Sequence, residues 1–459
     1  MAAIAAYFEK QGVPTVAEVS DLVNIKQIAK ETYLANGVPE LRSVFIPPAK
    51  WVEKCPEDYL PKFLEALTNP LTDAEKKSGK YKPPIPPRIA MTGTYEEVQE
   101  FFTGDLSVFV DSAPVAKWTD GLPISPPTPE AVARMLKGTS HKPDEIVSSK
   151  MGPMERIVTV EKVAINAVMA GCQPEQLPLC LAITEGGLKN AYGSSGSMGI
   201  VHIVSGPIAR QIGMNSGVAL MTPGNPANMT IGRFTSLALR NLAGVAPGST
   251  NISAYGTTFM GLTIAESSDS PWEGLNVRMG FSPKESVILQ LTNKVAILGH
   301  GPGEATLVSQ KAAAPDQLVA TMKALLPVGG GTGRVIMVNP EVARSWKEKF
   351  GWDTMAKLQD YLWDNVTWPR KNYDLSYWWG TREPFKDWVA ALKSERGSRM
   401  LNPDHVDMPP ETMVPINASP KQFIIVVAGG GAPNYNELQP AFSWGTFGTC
   451  TVLPIAKWR

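Results

Sequence analysis

The chain has 459 residues, with 43 Lys and Arg against 43 Asp and Glu and a formal net charge of zero. Hydrophobic residues make up 43% and charged residues 19%, so a sizeable core is available and global disorder is excluded. A neutral chain lacks the basic face that neutralises phosphates, which argues against a general nucleic-acid binder.

At roughly 150 residues per domain the length corresponds to about three folding units. In chain order, Ala2–Gly12 reads as helix, Val13–Val19 as extended, Leu22–Asn36 as a helix stopped by Gly37, and Leu41–Ile46 as extended again. Alternation of this kind marks βαβ units around a parallel sheet. Leu60–Leu67 adds a helix, and residues 1–80 read as a βαβ-type domain. Pro clusters at Lys80–Pro87 and Pro123–Pro129 bracket a Pro-rich linker region, 81–130, which holds a helical pattern at Tyr95–Phe102; Pro cannot sit inside regular elements.

A central α/β domain, 131–320, opens with a helix at Pro129–Leu136. It carries helices at Val160–Ala170, closed by Gly171, at Pro174–Glu185, and at Met229–Leu242, capped by Gly244. Its strands are Ile200–Val204, Val287–Leu291 and Val295–Leu298. The C-terminal α/β region, 321–459, follows a helix at Pro315–Leu325. It has a strand at Val335–Val338, a helix at Glu341–Phe350 and a strand at Phe423–Ala428. Seven of the twelve tryptophans fall between Trp346 and Trp388. Such rings bury a helical subdomain by default, a pocket wall or subunit interface being the sharper alternative. The fold class expected is α/β, a parallel-sheet N-terminal domain followed by a larger α/β middle and C-terminal region.

Cys55, Cys172, Cys180 and Cys450 show no CxxC spacing, and His141, His202, His300 and His405 stand far apart. Neither a disulfide framework nor a metal site is expected, and no cofactor is assigned. The glycine loops at Gly299–Gly303, Gly329–Gly333 and Gly429–Gly431 fit no nucleotide fingerprint; Gly193–Gly199 is better suited to a flexible lid or anion cradle, with a tight turn the default for each loop. The N-terminus has no basic stretch before its apolar residues, and no run reaches 18 apolar residues, so a cytoplasmic chain without membrane contact is expected.

Cys172 lies between a Gly-terminated helix and a Pro-initiated one. A thiol feeding a helix start is favoured as thiolate, the environment a nucleophilic cysteine needs; the other reading is a small residue buried in a tight turn. Cys180, beside Leu177 and Leu181, reads as core. In Asn225–Arg233, Asn228 and Thr230 either cap a helix or line a binding site, and Arg233 offers a bidentate clamp for a carboxylate or is a surface charge.

From Met169-Ala-Gly-Cys172-x-Pro-Glu175-x-Leu-Pro178 onward the sequence resembles the UGSC group of (seleno)proteins, named for a Sec/Cys-Gly-Ser-Cys motif. The likeness continues at Ser205–Arg210, Gly213-x-Asn215-Ser-Gly217, Pro223-Gly224, Asn228-x-Thr-Ile-Gly-Arg233, Asn241–Gly248, Glu266–Trp272 and Val426–Gly430. It covers most of residues 130–300 and implies a thiol- or selenol-linked enzyme. The naming motif itself is missing, and Ser205 stands where the family pattern has Asn.

The leading expectation is an enzyme, or the large subunit of one, acting on a small organic acid or carbonyl compound by thiol-linked redox or carbon–sulfur chemistry. Cys172 would be the nucleophile and Glu266 a proton carrier. Ser205, Asn228, Thr230 and Arg233 would bind substrate, Arg233 taking the anionic group. A hydratase- or hydrolase-type lyase without thiol redox, or a non-catalytic structural subunit, is the alternative. An oligomer is expected. The chain opens on a helix where a doubly wound sheet has a central strand. Either another strand of the chain fills that place or a small partner subunit completes the N-terminal sheet; the partner would also restore the missing thiols.

Overall fold

The computed structural model describes residues 2–21, 36–47, 57–78, 88–104, 118–152, 156–188, 200–245, 262–292, 333–376, 401–430 and 449–459 throughout, and parts of 26–34, 108–115, 296–298, 318–323 and 443–447. The fold is α/β. The chain divides into two compact units, one of residues 1–196 and 234–254, the other of residues 197–233 and 255–459. The division runs through the region 131–320, so a stretch read as one central domain contributes to both. Among the described residues no helix is long and apolar enough to cross a membrane.

In the first unit, helix α1 (Ala2–Lys10) precedes strands β1 (Ala17–Ser20) and β2 (Ser43–Ile46). The strands pair in parallel, Ala17 against Ser43 through Ser20 against Ile46, as the alternation of extended and helical patterns predicts. Val19, Tyr33, Val38, Leu41 and Leu71 form the small core around them. The helix expected over Leu22–Asn36 lies only partly within the described residues, and the Pro cluster at Lys80–Pro87 lies outside them.

Helix α2 (Pro129–Leu136) starts as read. Thr128 is extended and its side chain accepts from the Ala131 N–H, while Pro129 fills the first position, where no N–H is needed. An irregular antiparallel hairpin, β3 (Ile146–Met151) and β4 (Arg156–Thr159), was not expected. Helix α3 (Val160–Ala170) follows from a second threonine cap, Thr159, and buries eight of its eleven residues. Gly171 stops it with φ +86°, a left-handed conformation that side chains with a Cβ rarely adopt. The pattern over Pro174–Glu185 becomes three pieces: a 3₁₀ turn at Pro174–Gln176, helix α4 (Leu177–Ala182), and a π-helical turn at Ile183–Leu188.

The second unit holds two four-stranded mixed sheets. Strand β5 (Ile200–Ser205) is buried along its whole length. Helix α5 (Pro226–Ala238) follows, its first eight residues belonging to this unit. Strands β6 (Leu262–Ala265), β7 (Val287–Thr292), β8 (Ala296–Leu298) and β9 (Gly333–Val338) come next. Helices α6 (Pro340–Phe350) and α7 (Met355–Asn365) lead to β10 (Phe423–Val427), β11 (Ser443–Phe447) and β12 (Thr449–Pro454). The first sheet runs β12–β7–β5–β6 and the second β8–β11–β9–β10. Only β5 with β6 and β9 with β10 are parallel; β7 and β11 run against their neighbours.

Alternation along the strands sends side chains to opposite faces. Val201 and Ile203 of β5, Leu289 and Leu291 of β7, Met337 of β9, and Ile424 and Val426 of β10 share one core between the sheets. Ile336, Val338, Phe423, Ile425 and Val427 face the other way, onto Val342, Trp346, Leu358 and Leu362 of α6 and α7. Trp346, Trp352 and Trp368 belong to that second core and Trp363 packs against it, the burial role read as the default for the tryptophan cluster; Trp378, Trp379 and Trp388 lie outside the described residues.

Candidate functional site

In the first unit the end of α3 places Cys172. Its backbone N–H donates to Ala167 O at 2.9 Å, closing the helix one residue beyond Gly171. That amide therefore serves the end of α3, and the α-helix that was expected to start at Pro174 begins three residues later, at Leu177. Cys172 is 6% exposed, and its sulfur stands 4.0 Å from the sulfur of Cys180, one turn into α4 and fully buried. Burial pushes the Cys180 thiol well above its ordinary value, and the neighbouring Cys172 adds to the effect. Neither is part of a disulfide. Cys172 lines a small cleft of about 90 Å³ with Ser125, Arg134, Met135, Gln173 and Pro174. A thiol at the cleft wall with a second thiol behind it can close to a disulfide.

In the second unit a polar cluster forms at the carboxyl ends of β5 and β6, the position where open α/β sheets gather ligands. Ser205 ends β5 and Glu266 directly follows β6. The two strands pair in parallel, with Val204 against Ala265, so Ser205 and Glu266 come out side by side. The Ser205 hydroxyl donates to Glu266 Oε2 at 2.5 Å and accepts from the Asn276 N–H at 2.9 Å. Glu266 Oε2 also accepts from the Leu275 N–H at 2.6 Å. Arg278 donates through Nη2 to Glu266 Oε1 at 3.4 Å and to Ile425 O at 2.7 Å. Gly274 permits this packing: a Cβ there would sit 2.6 Å from Asn276 Oδ1 and 3.5 Å from Glu266 Oε2.

Burial raises the Glu266 carboxyl above its ordinary value, against the opposing pull of Arg278 and of the Ser205 and Leu275 hydrogen bonds. Burial likewise lowers the Arg278 guanidinium, with Glu266 acting in the other direction. A carboxyl raised by its surroundings and held by directed donors is suited to giving and taking a proton.

No family model matches the chain, and neither does any curated protein or solved structure. The geometry therefore carries the reading of the site.

Of the residues expected to act together, Ser205 and Glu266 meet. Asn228 is buried, and its amide ties the structure together: Oδ1 accepts from Asn215 N–H at 2.9 Å, and Nδ2 donates to Asn215 O at 3.0 Å and Thr263 O at 3.3 Å. Thr230 turns its hydroxyl to Ala227 O at 3.4 Å. Arg233 is half-buried on α5, and the donors to Glu266 come from Ser205, Leu275 and Arg278, not from it. Cys172 belongs to the first unit and the other five residues to the second. Three participants were missed in the sequence: Cys180, which was read as core alone, Asn276 and Arg278. Arg278 lies twelve residues from Glu266, a separation that matches no local pattern.

Proposed function

We propose that the chain is a thiol-linked enzyme acting on a small organic acid, with Cys172 as nucleophile and Cys180 as the thiol that resolves its adduct. The observation that carries this reading is the 4.0 Å approach of the two sulfurs at the wall of a cleft. For a substrate disulfide, the Cys172 thiolate attacks one sulfur, the substrate S–S bond breaks, and the first product leaves as a thiol after taking up a proton. Cys180 then loses its proton and attacks the Cys172 sulfur, releasing the second product thiol and leaving a Cys172–Cys180 disulfide. Two electrons pass to the substrate, and a dithiol reductant restores the pair. Arg134 lines the same cleft and is assigned the substrate carboxylate, the role first given to Arg233. Cysteines outside any disulfide fit a reducing, cytoplasmic compartment.

A small disulfide such as hydroxyethyl disulfide tests this directly. Peptide mapping after its addition should recover Cys172 joined to Cys180, and Cys172→Ser or Cys180→Ser should each abolish that product. Absence of the cross-link in the unmodified chain would sink the thiol reading.

The second reading is a lyase of the hydratase type that uses Glu266 without thiol redox. It is favoured by the raised carboxyl of Glu266 at the carboxyl ends of two parallel strands. A turnover assay in which Glu266→Gln is inactive and Cys172→Ser fully active would select it.

The proposal includes a partner. Among the described residues β1 and β2 make a sheet of two strands, and isolated pairs are marginal without a third strand or further packing. A strand from a small second polypeptide would extend it. Co-purification of such a polypeptide from the native source supports this; a homogeneous, fully active chain with nothing bound to it does not.

A further inference from the structure

Strand β9 places a charge where its neighbours are apolar. Arg334, Ile336 and Val338 share the face of the second sheet that packs on α6 and α7, and Arg334 sits opposite Phe423 of β10. Arg334 is fully buried. Its Nη1 donates to the carbonyl of the preceding residue, Gly333, at 3.1 Å, while Nε and Nη2 have no partner among the described residues. A buried guanidinium left in that state is expensive, because its donors have lost water and gained nothing. The open atoms are not scattered. Nε and Nη2 form one edge of the planar guanidinium, and their two N–H bonds run parallel, the fork that matches the two oxygens of a carboxylate.

The surroundings narrow the ligand. Among the described residues the group that acts on Arg334 is the Tyr373 phenol, which is itself buried and donates to Pro415 O at 2.8 Å. Burial holds that phenol well above its ordinary value, so it stays neutral and supplies no counter-charge. One guanidinium balances one negative charge, which a carboxylate carries and a phosphate dianion exceeds. Phe423 and Tyr373 beside it favour an apolar body behind the charged group.

We propose that Arg334 is an anion-binding residue whose Nε–Nη2 edge receives the carboxylate of a small, apolar monocarboxylic acid. The site is separate from the Glu266 cluster: Arg334 pairs with Phe423 at the start of β10, whereas Glu266 lies next to Ser267, which donates to Val427 O at the end of that strand. The same pair of oxygens could instead come from an acidic side chain of the chain itself, and the two sources respond differently to added ligand.

Calorimetric titration and thermal unfolding of the full chain with sodium benzoate, inorganic phosphate and neutral benzamide test the proposal. Benzoate should bind and raise Tm in a concentration-dependent manner, with benzamide and phosphate ineffective at the same concentrations. Arg334→Lys keeps the charge and loses the fork, and should weaken the benzoate Kd at least tenfold; Arg334→Gln should abolish binding. The isostere comparison on the unmodified chain stands even if the variants fold poorly. Equal binding of benzoate and benzamide, or an unchanged benzoate Kd in Arg334→Lys, overturns the proposal. So does a chain that binds no carboxylate yet loses Tm in Arg334→Gln, the signature of an internal acidic partner.

Discussion

Ser205 and Glu266 lie 61 residues apart in the chain and 2.5 Å apart in the structure, the serine hydroxyl donating to the carboxylate where two parallel strands end. The contact depends on strand pairing: a slip of one residue between β5 and β6 would turn one of the two side chains to the opposite face. Arg278 completes the group from the other side of the carboxylate.

Glu266→Gln should destabilise the chain by about 3 kcal/mol, because it leaves the Arg278 guanidinium buried without its counter-charge. Urea unfolding measures this. Adding Arg278→Gln should cost less than the sum of the two single changes, since both remove one interaction. The sign of the pH effect follows from the raised carboxyl. The folded chain holds this proton more tightly than the unfolded one, so the stability it confers is present below the ordinary carboxylate range and lost as pH rises through the folded value.

His202 should behave in the opposite sense. It lies inside β5, donating through Nε2 to Gln290 Oε1 at 2.9 Å, and burial lowers its imidazole from 6.5 to about 4. The unfolded chain takes up that proton first, so stability falls as pH drops from 6.5 towards 4. Each pH unit in this window is worth about 1.4 kcal/mol, or about 3 kcal/mol across it. Unfolding midpoints measured between pH 4 and 7 should show the slope, and His202→Gln should flatten it.

The two neighbouring thiols should differ in reactivity. Cys172 lines the cleft, whereas Cys180 is fully buried with a raised thiol. Iodoacetamide under native conditions should therefore label Cys172 well before Cys180, as read by peptide mass spectrometry. Equal labelling of the two would show that the cleft does not control access.

Gly171→Ala should cost about 1 kcal/mol. The residue holds φ +86° at the end of α3, a conformation a Cβ opposes, and the Cys172 N–H to Ala167 O bond depends on that turn. Thermal unfolding gives the stability change, and labelling of Cys172 reports whether the turn has moved.

Helix boundaries were the most legible part of the sequence. Pro129–Leu136 and Val160–Ala170 were read with the bounds they have, because Thr128, Thr159, Pro129 and Gly171 act on the backbone within one turn of themselves. Most strand positions were legible as well, since runs such as Val335–Val338 and Phe423–Ala428 are apolar enough to be buried on both faces. Strand direction was not. The strands expected at Val287–Leu291 and Val295–Leu298 pair antiparallel to their neighbours, and nothing within either run encodes that. The candidate sites divide in the same way. Cys172 stands out by residue type and local setting and Glu266 through the family resemblance, but their partners Arg278, Asn276 and Cys180 are ordinary residues where they occur in the chain. Capping and apolar periodicity are short-range chemistry and can be read from neighbouring residues. Pairing a buried carboxyl with its guanidinium, or one thiol with another, is settled by which strands and helices share a core, and that depends on burial summed over distant segments.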